Sequence, residues 1–143
     1  MMKRECTNKP FIELMHTSKV IQERIRDEMS KNNLSITEFS VLEVLYHNEK
    51  QTIQQIGNSI LISSGSMTYV IDKLEQKGFL NRLPCPDDRR VIHVTLTDAG
   101  VALMEIIMPK HQELVDDIFG SLNNDDAQII VNLLKKINNR VKK

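Results

Sequence analysis

Apolar positions recur along most of this chain at intervals of three and four residues, the period of a helix with one buried face, and over one short stretch at intervals of two, the period of a strand. Leu14, Ser18, Ile21, Ile25 and Met29 share one face of the stretch from Phe11 to Met29, which predicts a long amphipathic helix. Asn8 and Pro10 suit its start, because the fixed φ of proline fits a first helical turn, and Asn32-Asn33 suits its end. A second helix is expected to begin with Thr37 as its cap and to bury Phe39, Leu42, Leu45 and Tyr46. Gln51-Thr52 interrupts the pattern and suits a single strand pairing. Thr52 then caps a short third helix with Ile53, Ile56 and Ile60 facing inward. Ser63 or Ser64 is expected to cap a fourth helix, in which Met67, Val70, Ile71 and Leu74 form the apolar stripe and Gly78 supplies the stop.

The period then changes to two. Phe79 to Leu83 reads as a strand, and Val91, Val94 and Leu96 lie in a returning one; Pro84 and Pro86 are expected to end the first, since each lacks a backbone donor. Thr97-Asp98 opens a long helix carrying Val101, Met104, Ile107, Leu114, Ile118 and Phe119, with Pro109 inside it expected to kink it and Gly120 closing it. Asn123 and Asp126 resemble a capping pair for a last helix whose stripe is Ile129, Ile130, Leu133, Leu134, Ile137 and Val141. Two short helices joined by a tight turn, the second with a polar outer face and followed by a hairpin, make a winged helix-turn-helix. The fold class is therefore mainly α with a small β wing. Residues 34–97 form the winged helix-turn-helix DNA-binding domain, and residues 1–33 with 98–143 form a helical dimerisation region. The apolar faces of the first helix and the last two are wider than a 64-residue winged helix can cover, which implies a homodimer.

Composition narrows the choice. The chain has 143 residues, 41% of them apolar, and no apolar run of membrane-spanning length. Its basic N-terminus has no apolar segment behind it of the signal-peptide kind, so the expected location is the cytoplasm, with no membrane partner. Two cysteines are too few for a disulfide framework or a Cys-based metal site, and the four histidines show no ligand spacing. No nucleophile–base pair and no glycine-rich phosphate loop is present, so neither an enzyme nor a resident cofactor is expected. The net charge is zero, and residues 34–97 hold six basic side chains against seven acidic ones. Phosphate binding by so lightly charged a domain must rest on a few aimed cations rather than on a broad positive surface.

The candidates for that work lie between Ser63 and Thr97. Arg90, in the acid-arginine cluster at the hairpin tip, can enter a narrow minor groove, and Asp88 two residues earlier can hold its guanidinium by a bidentate hydrogen bond. Arg89 would meet phosphate or flank the groove. Ser63, Ser64, Gly65, Ser66, Thr68, Tyr69 and Lys73 are the candidate major-groove and phosphate contacts of the fourth helix, with Lys50 and Arg82 as weaker ones. Cys6, beside Lys3, Arg4 and Lys9, has the surroundings of a stabilised thiolate, and Cys85 lies at the base of the wing; both are candidate redox sensors. Met15, His16, Tyr46 and Met104 could line a pocket for a small aromatic ligand at the junction of the dimer helices and the winged helix. A winged helix used only for protein contacts is the alternative function class, favoured by the near-neutral charge and opposed by the Asp88-Arg90 spacing.

The segment ISSGSMTYVIDKLEQKGFLNRLPCPDDRRVIHVTLTDAG resembles the recognition-helix-plus-wing signature of the MarR family of bacterial transcription regulators. The DDRR cluster, the alternating strand and the LTDAG that follows are its most specific parts, and the order of elements matches over essentially the whole chain. The resemblance implies a dimeric winged-helix repressor on double-stranded DNA, released from a palindromic site when a small molecule binds or a cysteine is modified. The SGSMT helix start and the two cysteines point toward the branch that answers phenols, quinones or oxidants. Peroxide-sensing members carry their reactive cysteine within the first helix, near the place of Phe11 or Ile12 here, and this chain has none there.

Overall fold

The computed structural model describes residues 7–60 and 66–142. In chain order the elements are α1 (Lys9–Ser30), α2 (Ile36–His47), β1 (Gln51–Thr52), α3 (Ile53–Ser59), α4 (Met67–Gln76), β2 (Leu80–Pro84), β3 (Ile92–Leu96), α5 (Asp98–Ile118) and α6 (Asn124–Val141). The chain divides into two compact units, residues 1–109 and 110–143.

In the first unit, the Asn8 side chain caps α1 by accepting from the Phe11 N–H, with Pro10 in the first turn as expected. The stripe of α1 is buried only toward its C-terminal end, at Ile25 and Met29. Asn33 then takes a left-handed conformation (φ 58°), which asparagine tolerates better than most residues. The cap of α2 is Ser35 and not Thr37. Ser35 Oγ accepts from Glu38 N and Glu38 Oε1 accepts from Ser35 N, a reciprocal capping box that Thr37 has no acid three residues on to form. Thr37 is instead buried inside the helix. α2 buries residues all round, among them Phe39, Val41, Leu42 and Leu45, while Tyr46 stands at its exposed edge rather than in the stripe.

Thr52 caps α3 through a second capping box with Gln55. The cap of α4 is Ser66, whose hydroxyl accepts from Tyr69 N, so the helix starts later than Ser63 or Ser64 would give; both of those lie outside the described residues. Val70, Ile71 and Leu74 anchor α4 in the core. Its end is a Schellman motif: Phe79 N donates to Leu74 O and Gly78 N to Glu75 O, around Gly78 at φ 83°.

The sheet is antiparallel in the order β1-β3-β2, with Arg82 opposite Val94 and Gln51 opposite Val94 on its other side. Pro84 does not end β2 early; it forms the last pair of the strand, with Ile92. An edge strand tolerates it, because the missing donor can face away from the single neighbour. Met29, Leu42, Ile56, Ile71, Leu74, Leu80, Val94, Met104 and Ile107 make one core from α1, α2, α3, α4, the sheet and the start of α5. The Thr97 hydroxyl accepts from Gly100 N at the start of α5 and donates to Gly78 O.

The second unit holds the end of α5 and all of α6, and α5 continues through Pro109. Asn123 and Asp126 form the expected capping box of α6. α6 buries no residue: Ile129, Ile130, Leu133, Leu134, Ile137 and Val141 are all exposed. Among the described residues no helix is long and apolar enough to cross a membrane.

Candidate nucleic-acid interface

α4 is a two-faced helix. Val70, Ile71 and Leu74 are buried, while Ser66, Thr68, Tyr69 and Lys73 are exposed. Lys73 Nζ lies 5.6 Å from the centre of the Tyr69 ring, so the cation rests over the aromatic face and the two present one surface. Ser63, Ser64 and Gly65, expected beside them, lie outside the described residues.

The turn between β2 and β3 carries the second set. Asp88 Oδ1 accepts from Arg90 N at 3.0 Å and from Arg90 Nε at 3.2 Å, and Asp88 Oδ2 accepts from Arg90 Nη2 at 3.4 Å. The backbone bond is an Asx turn, and it explains the two-residue spacing. The backbone and then the side-chain bonds from Arg90 hold the Asp88 carboxyl below its ordinary range. The Arg90 side chain stays 91% exposed. An arginine is thus oriented without being covered, and Arg89 is exposed beside it.

Arg82, one of the weaker candidates for a DNA contact, is paired within the protein. Its guanidinium pairs with Asp72 and, at 2.7 Å, with Glu75, both on α4. The hydrogen bond with Asp72 raises the Arg82 pKa further, against the opposing effect of burial. Arg82 therefore ties the wing strand to the helix that carries Tyr69 and Lys73. Sequence reading missed Asp72 and Glu75 in this brace, although both are acids on α4 within ten residues of Arg82. It also missed Gly100, where a Cβ would lie 2.1 Å from the Phe79 carbonyl oxygen. No residue with a side chain lets α5 come so close to the end of α4.

The candidate sensing residues are less gathered. Cys6 lies outside the described residues, and Cys85 is a half-buried free thiol at the base of the wing. Tyr46 lines a cavity of about 330 Å³ with Leu45, Glu49, Thr95, Leu96 and Val101. Met104 is packed in the core, and Met15 and His16 are exposed on α1; none of the three is among the described walls of that cavity. Among the described residues no group of three or more His, Cys, Asp or Glu side chains could hold a metal ion.

The arrangement presents a helix with a polar, exposed outer face and, at the wing tip, an oriented arginine in solvent. The MarR family profile matches residues 34–92, from the start of α2 to the start of β3. The chain is 40% identical over 133 residues to the HTH-type transcriptional regulator MhqR of Bacillus subtilis (strain 168), covering 93% of this chain and 92% of that one. It is 42% identical over 117 residues to the HTH-type transcriptional regulator YkoM of the same organism, covering 82% of this chain and 75% of that one. Among solved structures, a cysteine-to-serine mutant of MarR from E. coli complexed with operator DNA matches with a TM-score of 0.79 and 26% identity, over 90% of this chain and 94% of that one. These relatives are regulators and not enzymes, and the chain belongs to the MarR family of winged helix-turn-helix transcriptional regulators.

Proposed function

We propose that this regulator is a repressor that binds a palindromic operator as a homodimer. α4 lies in the major groove, where Ser66, Thr68, Tyr69 and Lys73 meet bases and phosphates together with Ser63, Ser64 and Gly65. Arg90 enters the adjacent minor groove and Arg89 meets the backbone. The observation that carries this reading is the Asp88-Arg90 pair: an arginine aimed by three hydrogen bonds yet 91% exposed has a geometry with little value to stability and much to recognition. The MarR–operator complex supports it by likeness. The exposed apolar face of α6 supports self-association, because a monomer would leave six large side chains wet. Doubling also compensates for a winged helix with a net charge of −1. An operator-bound regulator acts where the chromosome is, in the cytoplasm.

We further propose that a small phenolic or quinone-type ligand, or modification of Cys6 or Cys85, releases the operator. The Tyr46 cavity supports the first route, since it joins the end of α2, the wing strand β3 and the start of α5, and its volume suits a single aromatic ring. The test is a gel shift on palindromic fragments from the DNA flanking the gene, at several salt concentrations. A specific, salt-sensitive shift, reversed by a phenol or quinone, is the expected result. Absence of any preference for such a fragment over random duplex would overturn the operator reading.

A further inference from the structure

The C-terminal turn of α4 is held from two sides. On one side Thr97 N and the Thr97 hydroxyl donate to Phe79 O and Gly78 O, and Gly100 brings α5 against the same carbonyl of Phe79. On the other side stands Lys77, the C-cap residue. Its Nζ donates to Asn33 O at 2.9 Å and to Glu38 Oε2 at 2.8 Å. Asn33 is the left-handed residue that turns the chain from α1 into α2, and Glu38 is the acid of the α2 capping box. One ammonium thus joins the last turn of α4 to the corner where α1 ends and α2 begins. Its partners are 39 and 44 residues away in sequence, so the bond is tertiary and not a local helix pair.

Two facts set this contact apart from a surface ion pair. Glu38 is 5% exposed and cannot reach a nucleic acid. Burial alone would push its carboxyl up, but the bonds from Lys77 and from Ser35 outweigh it and leave the group ionised below its ordinary value. A buried, doubly bonded carboxylate is a fixed point, and a long flexible side chain tied to it loses its freedom.

We propose that Lys77 is a positioning residue for operator recognition: by bonding Asn33 O and Glu38 it sets the tilt of α4 against the end of α1 without touching DNA. The inference rests on the operator reading above. Its chemistry predicts that the two ends of the tether behave as one unit, and that the DNA-reading face of α4 loses its register when either end is removed, although Tyr69, Lys73 and the wing are unchanged.

The experiment compares wild type, Lys77→Met, Glu38→Gln and the double variant by operator Kd, by the slope of log K against log salt, and by thermal midpoint, all at a temperature well below unfolding. Lys77→Met leaves Glu38 charged and buried and is expected to lower the midpoint; the double variant removes that charge and recovers it. The operator Kd is expected to rise on the order of tenfold in all three variants, no further in the double than in either single, with affinity for random duplex and the salt slope unchanged. Recovery of operator affinity along with the midpoint in the double variant would show a purely stabilising pair and overturn the proposal. So would a salt slope reduced by about one in Lys77→Met, which marks a phosphate contact. So would normal affinity in Glu38→Gln. Failure of wild type itself to prefer any operator fragment would instead overturn the operator reading and the tether's role with it.

Discussion

Asp88 holds the Arg90 guanidinium by two hydrogen bonds and the Arg90 backbone by a third, while the arginine remains almost wholly in solvent. An exposed pair of this kind adds little to folding, because water screens it. Arg90→Ala is therefore expected to leave the thermal midpoint unchanged and to cost about 1–3 kcal/mol of operator binding. Asp88→Ala keeps the cation but loses its aim, so its operator Kd should fall between wild type and Arg90→Ala. Fluorescence anisotropy on a labelled operator, with random duplex alongside, reads both. Equal binding by wild type and Arg90→Ala would remove the wing from the interface.

The elements of this fold were legible because apolar spacing and turn residues are local signals. The helices and strands follow from them, and so does the Asp88-Arg90 pair, since an Asx turn needs only two residues. Caps are less legible, because several hydroxyl residues lie close together there. Ser35 and Thr37 are equally good by type, and Glu38 three residues after Ser35 decides between them. Pro84 reads by type as a strand end, whereas its compatibility with an edge depends on which side of β2 is vacant. What sequence could not reveal was the set of side-chain ties between elements. Nothing in the spacing of Lys77, Asn33 and Glu38 marks them as partners, and Arg82 reads equally well as a phosphate contact or as a brace.

Arg82 separates those two readings in solution. With its guanidinium already paired to Asp72 and Glu75, Arg82→Met should leave the salt slope of operator binding unchanged. It should weaken specific binding, because the wing is no longer tied to α4. A slope reduced by about one would mean that Arg82 leaves its carboxylates and meets phosphate in the complex.

Gly100→Ala tests the approach of α5 to the end of α4. The added methyl would lie 2.1 Å from Phe79 O and 3.3 Å from Leu96 Cδ2, and the first of these is backbone that cannot rotate away. Overpacking of this kind costs about 1–3 kcal/mol. Urea denaturation should show the midpoint falling with an unchanged m-value, and Gly57→Ala, where a Cβ meets Met67 Cγ at an ordinary 3.6 Å, should be tolerated far better.

The exposed stripe of α6 predicts the oligomeric state. A charge placed among Ile130, Leu133, Leu134 and Ile137 cannot be desolvated in a paired interface, so Leu133→Asp should shift sedimentation equilibrium from twice 16.5 kDa toward 16.5 kDa. Operator affinity should fall with it, since each half-site would be bound separately. A wild-type chain that sediments as a monomer at micromolar concentration would contradict the homodimer.

Glu38 gives the fold a pH dependence whose sign can be worked out. Burial raises its pKa and the bonds from Lys77 and Ser35 lower it, and the net result is a value below the ordinary 4.5. A carboxyl whose folded pKa is depressed is bound more tightly by protons in the unfolded chain, so folding stability rises with pH through that window. The contribution is fully present above the unfolded value and is lost as pH falls through the folded one. The stability difference between wild type and Glu38→Gln should therefore be flat at neutral pH and close as the pH drops below about 4.5. Had desolvation won, the folded chain would take up the proton first and wild type would gain on Glu38→Gln under acid. Chemical denaturation of both proteins between neutral pH and the onset of acid unfolding distinguishes the two signs.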